Sequence, residues 1–124
     1  MNSLFRFSLL LGCAVAIGCN QQVAPPPAIA VEDTSAALQQ VQPAAQSSPE
    51  VQALLHDAIA KLNAKDYANS LFLLQALSGR SDLSPEHQSI VARSLLAVNK
   101  ALSEQAAAGN AQAQAAMQHY RANK

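Results

Sequence analysis

The triplet Ser-Pro-Glu occurs twice, at 48–50 and at 84–86, and each copy has the composition of a helix start. Serine accepts a hydrogen bond from a free first-turn amide, proline fits the first helical position, and glutamate stabilises the positive end of the helix dipole. After the first triplet, alanine, leucine and glutamine dominate, and these residues lose little on entering a helix. Residues 49–122 are therefore predicted to form an all-α domain of three to four antiparallel helices.

Apolar residues at helical spacing place the helices within this domain. A stripe at 51–62 predicts the first helix, and a similar stripe after the second triplet predicts a helix to about residue 107, just before Gly109. The apolar residues of 67–77 point to more than one side, which is typical of a middle helix between two neighbours. A short fourth helix is predicted at 111–121.

The first 18 residues have the three parts of an export signal. Arg6 supplies the positive charge, residues 7–17 are apolar or small, and Gly18 lies where a peptidase must reach the backbone. A transmembrane helix needs roughly 20 apolar residues, so a run of this length is too short for a permanent span. Residues 1–18 are predicted to be a signal peptide.

The end of this run, Ala16-Ile17-Gly18-Cys19, resembles the lipobox of bacterial lipoproteins, although that family prefers leucine where Ala16 stands. The resemblance implies a diacylglyceryl group on the Cys19 thiol, cleavage of the signal before Cys19, and usually acylation of the new amine. Two acyl chains are enough for stable membrane anchoring. Asn20 follows in place of the aspartate that retains enterobacterial lipoproteins at the inner membrane, which implies the outer membrane, facing the periplasm.

Cys13 is an alternative attachment residue, because Leu10-Leu11-Gly12-Cys13 has the preferred leucine. That choice would leave only 7–11 as the apolar core of the signal and would begin the mature chain with an apolar segment. Cys19 is favoured because polar residues follow it at once. An ordinary secretory signal, with Cys19 incidental, is the remaining alternative.

Residues 19–48 are predicted to be a lipidated, disordered linker. The segment holds three consecutive prolines at 25–27, a fourth at Pro43, and no aromatic residue, so it buries too little to offset its ordering entropy. Residues 35–41 have the composition for two turns of helix but lack a partner face of their own. We therefore include them in the tether.

The run Lys65 to Leu71, followed by Leu74 and Leu77, is similar to the second helix of a tetratricopeptide unit. Lys65 replaces the family's glycine and Ser70 its alanine, and the 36-residue spacing of the Ser-Pro-Glu triplets is near the family's 34-residue period. Residues 107–114 with Tyr120 resemble the start of a Sel1-like unit, a relative of the same architecture. These resemblances imply a helical hairpin with extra helices; a plain bundle of three or four helices is the alternative.

The patterns of several chemical functions are missing from the sequence. Eight basic residues balance eight acidic ones and tryptophan is absent, which argues against a nucleic-acid partner. The three histidines are 31 and 32 residues apart and form no HExxH pair, and there is neither a G-x-S-x-G elbow nor a glycine-rich phosphate loop. We predict no enzyme, no catalytic residue, no metal and no cofactor.

The sequence thus predicts a lipid-anchored envelope protein that presents a small helical protein-interaction module. Its expected partners are the membrane, through Cys19, and an envelope protein. Repeat folds usually need three or more units and this chain has at most one and a half, so association with a second copy is also expected. The alternatives are a structural lipoprotein that self-associates or lies on the membrane, and a carrier of an apolar ligand.

Overall fold

The computed structural model describes residues 27–43 and 48–123, and within these ranges every regular element is helical. A 3₁₀ turn runs into a short first helix, and four longer helices follow: the turn Val31–Asp33, α1 Thr34–Gln39, α2 Pro49–Asn63, α3 Tyr67–Ser78, α4 Pro85–Ala107 and α5 Ala111–Ala122. The all-α prediction is confirmed. The bounds expected for the four longer helices differ from the observed ones by one residue at most.

The two Ser-Pro-Glu triplets begin α2 and α4, but their serines act differently. The Ser84 hydroxyl accepts a hydrogen bond from the His87 amide at 3.2 Å, as expected for an N-cap. The expected cap at Ser48 is wrong, since its side chain makes no capping bond. The Ser48 side chain instead acts on Asp82, whose pKa it helps to lower.

α3 lies between α2 and α4, as its two-sided apolar pattern predicted. Its side chains Leu71, Leu74 and Leu77 are fully buried. Leu55 of α2 and Val98 of α4 are buried with them in one continuous core. Burying a leucine side chain contributes roughly 1.5–3 kcal/mol to the free energy of folding. The three leucines of α3 therefore make this helix the centre of the core. α5 packs against α4 and extends the same core.

Two serines inside the core are satisfied within their own helices. The Ser70 hydroxyl donates to the Asp66 carbonyl oxygen at 2.7 Å, and the Ser94 hydroxyl donates to the Ile90 carbonyl oxygen at 2.8 Å. No buried side-chain nitrogen or oxygen of the described residues is left without a partner. The serine that replaces the tetratricopeptide alanine therefore adds no unsatisfied polar group to the core.

The prediction that all of 19–48 is a disordered linker is wrong for residues 31–41. Leu38 and Val41 are fully buried in the domain core, and the Thr34 hydroxyl donates to the Ala30 carbonyl oxygen at 3.1 Å. α1 lies against both α2 and α4, whose backbones do not approach each other closely in the described part of the chain. The partner face that α1 lacks in its own segment is thus supplied by the domain. We call residues 27–43 the strap.

Replacing Leu74 by alanine should lower the free energy of unfolding by about 2–5 kcal/mol, because the change leaves a cavity at the centre of the core. Leu96→Ala is the matched control, since Leu96 is 69 % exposed, and should change it by less than about 0.5 kcal/mol. Chemical denaturation followed by circular dichroism measures both. Equal losses in the two variants would show that α3 is not the centre of the core.

Candidate functional site

The predicted lipid-attachment residue Cys19 and the predicted signal peptide 1–18 lie outside the described residues, as does the alternative Cys13. The described chain begins at Pro27, whose carbonyl oxygen accepts a hydrogen bond from Nη1 of Arg93 at 3.3 Å. Arg93 also donates from Nε to the Ser89 carbonyl oxygen, which fixes its guanidinium on α4. Pro27, the described residue nearest to Cys19 in sequence, therefore lies beside α4 at Arg93.

Two interhelical turns share one backbone design. After α2, Lys65 has a positive φ of 57°, and its amide and that of Asp66 bond the carbonyl oxygens of Leu62 and Lys61, respectively, both at 2.9 Å. After α4, Gly109 has a φ of 93°, and the amides of 109 and 110 bond the carbonyl oxygens of 106 and 105. This is the Schellman pattern, which satisfies the last carbonyl groups of a helix.

In both turns the next residue caps the following helix. Oδ1 of Asp66 accepts from the Asn69 amide at 3.3 Å, and Oδ1 of Asn110 accepts from the Ala113 amide at 3.0 Å. The pKa of Asp66 is lowered, first by the side-chain hydrogen bond from Asn69 and also by Lys61, whose Nζ lies 3.5 Å from Oδ2. The two turns lie side by side and line a shallow depression of about 130 Å³.

Replacing Lys65 by glycine should raise the free energy of unfolding by roughly 0.5–1 kcal/mol. A left-handed conformation costs a residue with a Cβ about 1–2 kcal/mol, and glycine removes this cost. Part of the resulting gain in stability is offset because glycine has the larger conformational entropy in the unfolded state. Urea denaturation measures the change.

Gly109→Ala is the matched opposite, because a Cβ at Gly109 meets no atom within 4 Å and the cost is conformational alone. It should lower the free energy of unfolding by about 1 kcal/mol. A destabilised Lys65→Gly variant would contradict the proposed equivalence of the two turns.

At the opposite end of the helices, Arg80 joins three parts of the chain. It donates from Nη1 to Glu50 at 2.7 Å, and from Nε and Nη2 to the two carboxylate oxygens of Asp82 at 3.0 Å each. Nε2 of Gln88 donates to the carbonyl oxygens of Arg80 and Leu83. The Arg80 network therefore ties the start of α2 to the loop between α3 and α4.

The charges of this network stabilise one another. The Arg80 hydrogen bonds lower the pKa of Asp82 to about 2, and the Ser48 hydroxyl bond acts in the same direction. Hydrogen bonds to Asp82 and then Glu50 raise the pKa of Arg80 above its usual range. The arrangement holds two carboxylates on one guanidinium at the surface, so it is a structural junction and offers no unpaired charge for chemistry.

A group with a lowered folded-state pKa stabilises the fold above its unfolded pKa and loses that contribution as the pH falls. For Asp82 the loss runs from about its ordinary value of 3.8 down to about 2. Asp82→Asn should therefore lower the melting temperature at pH 7, and the difference from the unchanged chain should shrink as the pH falls to 2.

Asp57→Asn, on an exposed position of α2, is the control for the loss of one carboxylate. Differential scanning calorimetry at several pH values measures these shifts. A difference that stays constant from pH 7 to pH 2 would contradict the role assigned to the Asp82 carboxylate.

The three histidines lie on three different helices. His56 is on α2 with its Nδ1 3.6 Å from Asp57, His87 is in the first turn of α4, and His119 on α5 packs its ring edge-on against Phe72 of α3, with ring centroids 5.2 Å apart. Residues 27–43 and 48–123 contain no group of three histidine, cysteine or acidic side chains placed to hold a metal ion. The structure therefore does not bring the histidines together.

Apolar surface is present in a groove between α2 and α3. Its volume is about 450 Å³, and it is lined by Phe72 and Leu73 together with the polar residues Asp57, Lys61 and Asn69. Its polar lining residues are exposed and Phe72 and Leu73 are half-buried, so it is a surface groove and gives the apolar-carrier alternative no support. Within the described ranges, no helix combines the length and the apolar character that crossing a membrane requires.

Sequence reasoning missed the strap contacts and the Arg80 network. Leu38 and Val41, three residues apart, were a signal for the first, and the alternating charges Arg80 and Asp82 were a signal for the second. Both signals are short, and neither can be interpreted without the distant residues that it contacts.

Comparisons with protein-family models, with curated proteins and with solved structures found no match to this chain.

Proposed function

We propose that this chain is a lipid-anchored bacterial envelope protein that presents a small tetratricopeptide-like helical module to a protein partner and has no catalytic activity. Residues 1–18 act as the export signal, and Cys19 becomes the acylated first residue of the mature protein. The anchor confines the helical domain to one membrane face. Confinement raises the effective concentration of the domain toward an envelope partner without any added contact.

The observation that carries this proposal is the position of Cys19. It stands between an apolar run that ends in Gly18 and a polar segment that begins with Asn20. Cys13 and Cys19 are the two cysteines of the chain, so the helical body has no thiol to form a disulfide or hold a metal. A cysteine with no structural use in the domain, placed at the end of an export signal, fits lipid attachment.

The interaction module is supported by the pairing of the helices. α2 with α3 and α4 with α5 form two helical hairpins whose turns have the same Schellman geometry and the same side-chain cap. Two stacked hairpins of one design resemble two neighbouring units of a helical repeat. The surface of the described residues is built of close-packed helices and paired charges. Such a surface suits binding to a protein partner better than catalysis.

Cys19→Ser should abolish incorporation of labelled palmitate and leave the protein with its signal peptide attached, because the acylated thiol is the substrate for cleavage in the lipoprotein family. Cys13→Ser is the matched control and should be labelled and processed as the unchanged chain is. The measurement is radiolabelled palmitate incorporation in a bacterial host, with the size of the product on a gel. Loss of label in the Cys13 variant alone would move the attachment to the alternative lipobox, and label in neither chain would refute the anchor.

Crosslinking in intact cells separates the module from the self-associating structural lipoprotein. A crosslinked product with one specific envelope protein supports the module. Products that contain only copies of this chain support the structural alternative. Analytical ultracentrifugation of the purified protein then shows whether the self-association persists without the membrane.

A further inference from the structure

The strap changes how far the domain can lie from its anchor. We propose that residues 27–43 are a fold-back element that, while docked, holds the helical domain close to the membrane, and that on release lengthens the tether several-fold. This inference rests on the proposed lipid attachment at Cys19. It assigns to the strap a role in setting the distance between the lipid and the module.

The docked strap is held at several separate points along its length. Thr34, Leu38 and Val41 are fully buried between α2 and α4. At the other end, the Arg93 guanidinium donates to the Pro27 carbonyl oxygen. The strap is thus fixed to the domain from its first described residue to the end of α1, and seven residues of sequence, 20–26, separate it from Cys19.

Chain length alone then limits the reach. A fully extended chain spans at most about 3.3–3.6 Å per residue, so Pro27 lies no farther than about 29 Å from Cys19. If the strap leaves the domain, the tether continues to Pro49, and the same limit rises to about 108 Å. Docking therefore reduces the maximal reach of the module nearly four-fold.

The docking rests on a small number of buried side chains. Three of the 17 strap residues are buried, whereas five of the 15 residues of α2 are buried. The three are Thr34, Leu38 and Val41. A space of about 390 Å³ remains between the strap and α4, lined by Ile29, Ala37 and Ile90 among others. A helix as short as α1 is not stable in isolation, so the strap is ordered by its contacts with the domain.

Spin labels on the full chain, purified from membranes in detergent, test the docking. Labels at Gln40→Cys in the strap and Ala115→Cys on α5 both occupy exposed positions. We expect one narrow distance for this pair in the otherwise unchanged chain. Leu38→Asp should broaden and lengthen the distribution, whereas Gln39→Asp, which adds the same charge at an exposed neighbour, should leave it narrow. A broad distribution in the unchanged chain, or a narrow one in Leu38→Asp, overturns the proposal.

Energy transfer in vesicles of phosphatidylethanolamine and phosphatidylglycerol tests the reach. The donor is a dye at Ala115→Cys, and the acceptor is a dye on the lipid headgroups. Leu38→Asp should reduce the transfer and Gln39→Asp should not. A second variant leaves the domain untouched: eight residues inserted after Gln22 double the limit set by a docked strap but lengthen a fully released tether by only about a quarter. An insertion without effect on the transfer overturns the proposal.

A parallel sample of the unchanged chain, without added cysteines, separates failure of the strap from failure of the anchor. A lipidated chain without added cysteines has no thiol that reacts with maleimide, because Cys13 is removed with the signal and the Cys19 sulfur is a thioether. Reaction with maleimide, together with absence from the vesicles, refutes the anchor and with it the role in reach. The spin-label distances then still decide whether the strap is docked.

Discussion

The burial of α3 between α2 and α4 is the contact on which the rest of this structure depends. The fully buried side chains Leu71, Leu74 and Leu77 contact a neighbour on each side, so the removal of either neighbour would expose them. α5 packs against α4, and α1 packs across α2 and α4, so both rest on helices that α3 holds together.

Sequence reasoning located the helices because their signals are local. A serine and a proline mark the start of α4, and Gly109 marks a stop. The structure adds the caps Asp66 and Asn110 at the starts of α3 and α5, which the sequence analysis did not identify. Each signal depends on hydrogen bonds or dihedral angles of residues within one helical turn. A short stretch of sequence therefore contains all the residues involved. The two-sided apolar pattern of α3 also predicted its neighbours, since such a pattern requires two partners.

What could not be predicted depends on contacts between distant residues. Leu38 and Val41 are too few to give a helical period, and the surface that buries them is built by α2 and α4. Arg80 finds Glu50 across 30 positions of sequence, and charge alone does not specify which acid a guanidinium meets. At the candidate site, Cys19 lies outside the described residues, so the role given to it rests on the residues around it in the sequence.

The two ends of the bundle are held by different kinds of force. At the end with Lys65 and Gly109, backbone hydrogen bonds and short side-chain caps close the turns, and these respond little to ionic strength. At the end with Arg80, exposed ion pairs hold α2 to the loop before α4, and such pairs are screened by salt. One ion pair, Lys61 to Asp66, also lies at the Lys65 end, so changes in the ionic medium act mainly, but not solely, at the Arg80 end. The first part they loosen is the start of α2, where the chain arrives from the strap, so fraying at this end reaches the strap before it reaches α5.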